Sequence, residues 1–377
     1  MNAIKRKIAS IRLCIQYGWW DKIIAGFLGK RISLWSNTLK PQRYRYIMLA
    51  SHGTGRNAFW HFMDIANAYP MRKFDIASID RTCFFSYRKF YGIVCDRDIN
   101  YCNGGLEFIS KLNKKVPVFC LVRDPISIIR GGANMMLADN IVNGMIGGGN
   151  KALIKNTLLS YLESYYNMPH HFIFTTSPNQ FKHITKELIY IDMSDISEQN
   201  AYDTIKKCCS KIGINKIAVD KEFFTRKIAD SLSLNIEKDF DIDISGRIFN
   251  IKILPFENTL HKRFKIINII DDTNLKRKIA ICLLGKKYKK LKQINQEAKD
   301  YINSHTTQYL KDLSDKFKIY EQSKINENDV LEYFKNDQTL HKKFKKLLDY
   351  EVSNVQKYSP KIAESWVYYK EFQSYHL

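Results

Sequence analysis

A glycine-containing loop between a predicted strand and a predicted helix has the clearest chemistry in this sequence. The apolar run Tyr46–Ala50 predicts a buried strand, and an amphipathic helix pattern follows Asn57. Glycine lets backbone N–H groups approach a phosphate closely, and the N-terminus of a helix adds partial positive charge. The loop therefore predicts a phosphate site. Its candidate ligands are Ser51, Gly53, Thr54, Gly55 and Asn57.

A second junction carries an arginine at a position where ligands bind in open α/β sheets. The apolar run Val116–Val122 predicts a parallel strand, and Arg123, Asp124 and Pro125 follow it directly. Asp124 fits the N-cap of the next helix and Pro125 fits its first position, but neither role explains Arg123. A guanidinium at the carboxyl end of a buried parallel strand suits a bidentate phosphate contact.

The elements that must position these residues predict a mostly parallel sheet. Between residues 44 and 215, short apolar runs alternate with helical patterns, as they do in βαβ units. Further strands are predicted at Phe74–Ile79 and Leu188–Ile191, and alternation in 240–244 and 248–254 predicts a hairpin. The fold class is therefore α/β, with a mostly parallel central sheet flanked by helices.

Composition and pattern divide the chain into three parts. Residues 1–43 read as a basic amphipathic leader, residues 44–270 as the nucleotide-binding α/β domain, and residues 271–377 as a Lys-rich helical extension. The leader has isoleucines at helical spacing between Lys and Arg residues. We expect it either to pack on the core or to lie on an anionic membrane surface. Lysines clustered in 286–292 and 342–346 predict solvated helix faces.

The whole-chain composition narrows the partners and the compartment. The formal net charge of +22 suits nucleotides, phosphate-bearing glycans, anionic lipid or nucleic acid. Eight cysteines show no C-x-x-C pair and no His/Cys ligand spacing, so we predict no metal site. We expect a reducing cytoplasm, with Cys120 buried as a free thiol. The sequence contains no apolar run of about 18 residues, so we predict no transmembrane helix.

The two junctions together resemble the sulfotransferases that use 3′-phosphoadenosine 5′-phosphosulfate (PAPS). In that family a first loop, often K-S-G-T-T, holds the 5′-phosphosulfate, and an R-D-P or R-N-P segment holds the 3′-phosphate. The run Leu188–Ile196, followed by a helix up to Gly213, is similar to the family's later strand, its y-E-D-L motif and its F-L-G helix. These matches cover under half of the chain. The resemblance implies a P-loop-like sulfotransferase fold with PAPS as the donor co-substrate.

The resemblance also implies catalytic roles for residues of the first loop. Gly53 stands where the family carries its catalytic Lys, so Arg56 is the candidate for supplying positive charge. His52 or His61 would take the proton from the acceptor hydroxyl. We prefer His52 as the base because it lies in the loop itself.

The 3′-phosphate side of the resemblance involves the helix after Arg123. The family has a serine eight residues after the arginine, and that position is Gly131 in this chain. Ser127 or Arg130 is therefore the candidate substitute, and both join Arg123 as predicted cofactor-binding residues.

The sequence as a whole predicts a transferase, and three hypotheses stay open. The first is sulfuryl transfer from PAPS to a hydroxyl of a cell-surface or lipid-linked glycan at the inner membrane face, supported by the resemblance and by 13% aromatic residues. The second is a glycosyltransferase or another nucleotide-dependent transferase on the same fold, which the missing loop Lys favours. The third is a basic nucleic-acid-binding protein, although the sequence lacks RNP aromatics, zinc-finger spacing and a compact helix-turn-helix signal.

Overall fold

The structure is a computed structural model, and it describes eleven segments of the chain. The predicted strand Phe74–Ile79, the Lys cluster 286–292 and residues 1–42 of the predicted leader lie outside these segments. The described residues form two compact units. The segments are 43–72, 90–95, 105–144, 151–167, 172–217, 220–225, 238–244, 247–255, 264–267, 279–284 and 296–375.

A five-stranded sheet is the centre of the first compact unit, which takes described residues from the ranges 1–125, 168–226 and 337–377. Every strand pair in it is parallel, and the strand order is β2-β3-β1-β4-β5. The predicted α/β class is confirmed. The strands are β1 (Tyr44–Ala50), β2 (Pro70–Arg72), β3 (Tyr91–Cys95), β4 (Val116–Val122) and β5 (Thr185–Asp192).

The strands at the middle of this sheet are nearly continuous apolar runs. All seven residues of β4 are buried, and in β1 only Arg45 is not fully buried. Parallel strands that are covered on both faces have this composition, because neither face meets water. At the sheet edge, β5 exposes Lys186 and Glu187 in its first half and becomes buried towards Asp192.

Helices make up most of the remaining described chain. The predicted first helix is present, but it begins at Arg56, two residues before its predicted start after Asn57, and its residue Phe59 packs on Phe119 of β4 with 6.2 Å between ring centroids. In chain order the helices are α1 (Arg56–Ile65), α2 (Gly105–Lys111), α3 (Pro125–Val142), α4 (Lys151–Asn167), α5 (Thr176–Gln180), α6 (Ala201–Lys211), α7 (Gln296–Ser323), α8 (Glu327–Asn336), α9 (Gln338–Tyr358), α10 (Pro360–Ser365) and α11 (Val367–Gln373).

The second compact unit takes described residues from 126–167 and 227–336 and contains an antiparallel sheet. The predicted hairpin is confirmed, because β6 and β7 pair with Ile244 opposite Arg247. The sheet continues past residue 270, the predicted end of the α/β domain, since β9 pairs with both β7 and β8. Its strands are β6 (Lys238–Ile244), β7 (Arg247–Pro255), β8 (Phe264–Ile267) and β9 (Ile279–Leu284), in the order β6-β7-β9-β8.

The predicted helical C-terminal region is present, and its first described helix begins at Gln296, but the prediction of helix from residue 271 is wrong at β9, which is a strand of the antiparallel sheet. Its helices are divided between the units: α7 and α8 belong to the second unit, and α9 to α11 belong to the first. In the lysine cluster of α9, Lys342, Lys343 and Lys346 are among the residues at the solvent-facing side, as expected of a solvated face. Among the helices that the structure describes, none combines the length and apolar character that crossing a membrane requires.

Candidate functional site

The strand order of the parallel sheet places a topological switch point between β1 and β4. From β1 the chain continues to β2 and β3 on one side, and it then crosses to β4 and β5 on the other side. In open parallel sheets, ligands bind outside the carboxyl ends of the strands at such a point. The loop Ser51–Gly55 follows β1 and Arg123 follows β4. The two junctions singled out in the sequence therefore flank the switch point.

A hydrogen bond joins these two junctions directly. Nη1 of Arg123 donates to the carbonyl oxygen of Gly53 at 3.1 Å, between residues that are 70 positions apart. Arg123 is half-buried, and a guanidinium carries five N–H donors, of which this bond uses one. The structure thus brings together the glycine loop and the arginine that the sequence predicted for phosphate binding.

The loop has a defined internal geometry that requires its glycines. Gly53 has a φ of 82° and Gly55 a φ of 81°, in the left-handed region that favours glycine. A Cβ at Gly55 would overlap Cδ1 of Ile196, so this position also needs the absence of a side chain. The hydroxyl of Thr54, a fully buried residue, donates to the carbonyl oxygen of Ser51 at 2.8 Å. Backbone conformation and packing therefore account for Gly55 and Thr54 before any ligand is considered.

Ser51 is the loop residue whose side chain the described chain does not use. It is fully buried at the carboxyl end of β1, and its Oγ has no hydrogen-bond partner among the described residues. An unsatisfied buried hydroxyl costs about 1–3 kcal/mol. The Ser51 hydroxyl could therefore form a hydrogen bond with a ligand at the switch point, where a ligand is expected.

The other predicted loop residues differ in their exposure. His52 is exposed, whereas Arg56 and His61 are only 7% and 9% exposed. Asn57 is half-buried in the first turn of α1. Of the two candidate bases, His52 is thus the one at the protein surface. Arg56 is the first residue of α1.

Ser127 and Arg130 belong to the second compact unit, where both contact one carboxylate. Oγ of Ser127 donates to Oε1 of Glu327 at 2.8 Å, and Nε of Arg130 lies 3.2 Å from the same oxygen. Nearby, Nδ2 of Asn134 donates to the carbonyl oxygen of Ile325, whose N–H donates to Oδ1 of Asn134. These contacts fasten α3 to the start of α8. A role for Ser127 and Arg130 in nucleotide binding stays a prediction.

Asp124 has a second capping role, which its neighbours in the sequence do not predict. Its Oδ2 accepts hydrogen bonds from the backbone N–H groups of Tyr368 at 3.0 Å and of Tyr369 at 3.1 Å. These groups are among the first N–H donors of α11, so Asp124 caps the last helix from a position 244 residues earlier. Helix α3 does begin at Pro125, as predicted.

Asp192 was also missed as a polar group that connects distant elements. Its Oδ2 accepts from Nε1 of Trp366 at 2.9 Å, in a buried hydrogen bond across 174 positions. Its Oδ1 accepts from both the N–H and the hydroxyl of Ser194, at the start of the short 3-10 helix Met193–Ile196. The Trp366 ring packs near that of Phe174, with 6.0 Å between centroids. The run of residues around Asp192 signals a strand end, but no local pattern connects it to Trp366.

The described cysteines do not have the properties of catalytic thiols. All five of them are free and buried, which confirms the prediction for Cys120. Burial raises the pKa of the Cys120 thiol, raises that of Cys208 to about 12 and raises that of Cys209 to about 11. Such thiols stay protonated at neutral pH and are poor nucleophiles. Within the described segments, no group of three or more His, Cys, Asp or Glu side chains is arranged to hold a metal ion.

Comparison with known proteins gives one family match. Residues 190–375 match the model of a family described as "Protein of unknown function (DUF2972)". No curated protein and no solved structure matches the chain. The matched segment begins within β5 and ends after α11, so it contains both partners of the Asp192–Trp366 bond. The glycine loop and Arg123 precede it.

Proposed function

We propose that this protein is a nucleotide-dependent transferase of the sulfotransferase type, which moves a sulfuryl group from PAPS to a hydroxyl of a glycan. The main support is the contact between Arg123 and Gly53 at the switch point of the parallel sheet. A guanidinium and a glycine loop before a helix N-terminus are the groups that bind phosphate most directly. Their meeting at the usual ligand edge of this fold favours a nucleotide over a macromolecular surface.

The proposed site has donors for a nucleotide and groups for the transfer step. Backbone N–H groups of the loop and the N-terminus of α1 would bind the 5′-phosphate, and the hydroxyl of Ser51 would gain a partner. The acceptor oxygen attacks the sulfur, and the bond from sulfur to the 5′-phosphate oxygen breaks. His52 would take the acceptor proton, while Arg56 would stabilise the negative charge on the leaving phosphate oxygen. The products are a sulfated acceptor and 3′,5′-adenosine bisphosphate.

Thermal unfolding with a panel of ligands tests this function. A ligand that binds only the native state raises its stability, by about 2.7 kcal/mol at 100 times its dissociation constant. We expect 3′,5′-adenosine bisphosphate to raise the melting temperature of the full chain. An absence of any rise with this nucleotide, at concentrations up to the millimolar range, would remove PAPS as the donor.

A glycosyltransferase is the second candidate function, and the specific observation in its favour is Gly53. This residue lies at the position of the family's catalytic Lys and adopts a left-handed φ of 82°, which disfavours a lysine there. A rise in melting temperature with sugar nucleotides, and none with 3′,5′-adenosine bisphosphate, would select this function. An oligonucleotide in the same panel tests the nucleic-acid hypothesis, for which stabilisation should fall steeply with added salt.

A further inference from the structure

Three hydrogen bonds connect the carboxyl ends of β4 and β5, at what we call the carboxyl edge of the parallel sheet, to α11 and to the residue directly before it. Two of them run from the N–H groups of Tyr368 and Tyr369 to Asp124, and the third runs from Trp366 to Asp192. We call these five residues the C-terminal clamp. Asp124 follows β4 and Asp192 ends β5, so the clamp holds the start of α11 against two neighbouring strand ends.

The clamp residues are held in place by burial as well as by hydrogen bonds. Trp366, Asp124 and Asp192 are 3%, 7% and 8% exposed. Hydrogen bonds to a charged acceptor contribute about 1.5–3 kcal/mol each, and water competes little with those that are enclosed. Further along α11, Phe372 is fully buried and its ring lies 4.5 Å from that of His341 in α9. The start of α11 is therefore held in one position.

Asp124 lies directly after Arg123 in the chain, and the two side chains reach in different directions along the edge. Arg123 donates to Gly53 in the loop after β1, whereas Asp124 accepts from α11. The backbone at 123–124 is thus held from the β5 side by the clamp. An arginine that binds phosphate must be held close to its productive geometry, because small displacements weaken such contacts strongly.

We infer that Asp124 is a positioning residue for the nucleotide site, and that the C-terminal helix α11 supports Arg123 through it. This inference rests on the proposed function. It gives the segment 366–369, which lies about two hundred and forty residues after Arg123 in sequence, a part in nucleotide affinity. Trp366 supports Arg123 less directly than Asp124 does, because its hydrogen bond to Asp192 holds the beginning of α11.

Two substitutions at Asp124 separate the effect of its hydrogen bonds on nucleotide binding from the effect of its carboxylate charge. Asp124→Asn and Asp124→Ala both remove the carboxylate charge, but only the asparagine keeps an oxygen that can accept from Tyr368 and Tyr369. We expect calorimetric titration of the full chain with 3′,5′-adenosine bisphosphate to give at least about tenfold weaker binding for Asp124→Ala than for Asp124→Asn. Trp366→Phe keeps an aromatic ring and removes the bond to Asp192, and it should weaken binding to a smaller extent.

Tyr44→Phe is the matched control at the opposite edge of the same sheet. It removes the hydroxyl that donates to the carbonyl oxygen of Lys114 at 2.8 Å, and it should lower the melting temperature without changing affinity. Titrations are made well below the melting temperature of the least stable variant.

The outcomes separate the inference from the function on which it rests. If the wild-type chain binds the nucleotide and Asp124→Ala, Asp124→Asn and Trp366→Phe bind it equally well, the inference is wrong and the proposed function stands. If the wild-type chain does not bind it, the proposed function is wrong and the positioning role is overturned with it. Weaker binding by Asp124→Ala with recovery in Asp124→Asn supports both.

Discussion

The amino ends and the carboxyl ends of the parallel strands, called here the amino edge and the carboxyl edge of the sheet, use polar side chains in different ways. At the amino edge, the Tyr44 hydroxyl bonds to Lys114, and Arg45 donates to the carbonyl oxygen of Ile212 at 3.3 Å while its guanidinium stacks 4.1 Å from the centre of the Phe90 ring. These contacts fasten neighbouring segments together. At the carboxyl edge, a buried Ser51 hydroxyl lacks a partner among the described residues, and Arg123 extends across the switch point.

An unsatisfied hydroxyl alone does not separate the two edges, because the buried Tyr46 hydroxyl in the amino half of β1 also has no partner among the described residues. Tyr44 and Arg45 satisfy their polar groups with nearby backbone, since each unsatisfied buried group costs free energy. What distinguishes the carboxyl edge is the combination of an unsatisfied hydroxyl with an arginine and a loop of left-handed glycines, and unusual local features of this kind cluster at functional sites. The comparison can be tested by matched substitutions at the two edges.

The largest expected effect on nucleotide affinity comes from comparing alanine substitutions of the arginine at each edge. Arg123→Ala should weaken binding of 3′,5′-adenosine bisphosphate by about tenfold to a hundredfold, because a charge-assisted contact to phosphate contributes about 1.5–3 kcal/mol. Arg45→Ala should leave the affinity unchanged and lower only the stability. Calorimetric titration of both variants measures this, and equal losses of affinity would mean that the edges do not differ in function.

A second comparison concerns the positive-φ glycines of the two edges. Gly213 has a φ of 79° and lies at the amino edge beside Arg45, where an added Cβ would make only an ordinary 3.6 Å contact, whereas a Cβ at Gly55 would overlap Ile196. Gly213→Ala should cost about 1–2 kcal/mol from backbone strain alone. Gly55→Ala should cost a further 1–3 kcal/mol, roughly, from overpacking.

Chemical denaturation of both glycine variants, with the unfolding slope checked for constancy, measures these free energies of unfolding. Equal losses would show that Ile196 moves aside without cost. In that case the carboxyl edge would be less rigid than its packing indicates.

The smallest expected effects on stability come from removing the hydroxyls of Ser51 and Thr54 in the loop. Ser51→Ala should not lower the free energy of unfolding, since it removes a buried hydroxyl that has no partner to lose among the described residues. Thr54→Val removes the bond to the carbonyl oxygen of Ser51 and should cost about 1 kcal/mol or more. Nucleotide affinity should respond in the opposite order, with the larger loss in Ser51→Ala. A large loss of stability in Ser51→Ala would show that its hydroxyl already has a structural role.

Local patterns in the sequence predicted the elements at the switch point well. The bounds of β4 follow from an unbroken apolar run, and the position of Arg123 at its carboxyl end follows from those bounds. The glycine loop was visible because strand, glycine and helix signals come in order. Each of these features depends on residues that are adjacent in the chain. The parallel sheet then brings the carboxyl ends of β1 and β4 to one edge.

Contacts between distant residues could not be predicted in the same way. Asp124 reads as a helix cap from its neighbours, but its partners in α11 lie 244 positions later. Likewise, nothing near Ser127 indicates that Glu327 would contact it. Such pairings depend on which helix packs beside which strand end, and that information is absent from periodicity and local propensity.

Amide hydrogen exchange of the full chain, with and without saturating 3′,5′-adenosine bisphosphate, tests most directly whether a nucleotide binds between β1 and β4. We predict slower exchange in the loop Ser51–Asn57 and at the β4–α3 junction, with the amino ends of β1 and β4 unchanged. Unchanged exchange in the loop, or protection confined to other segments, would contradict a nucleotide site at this edge.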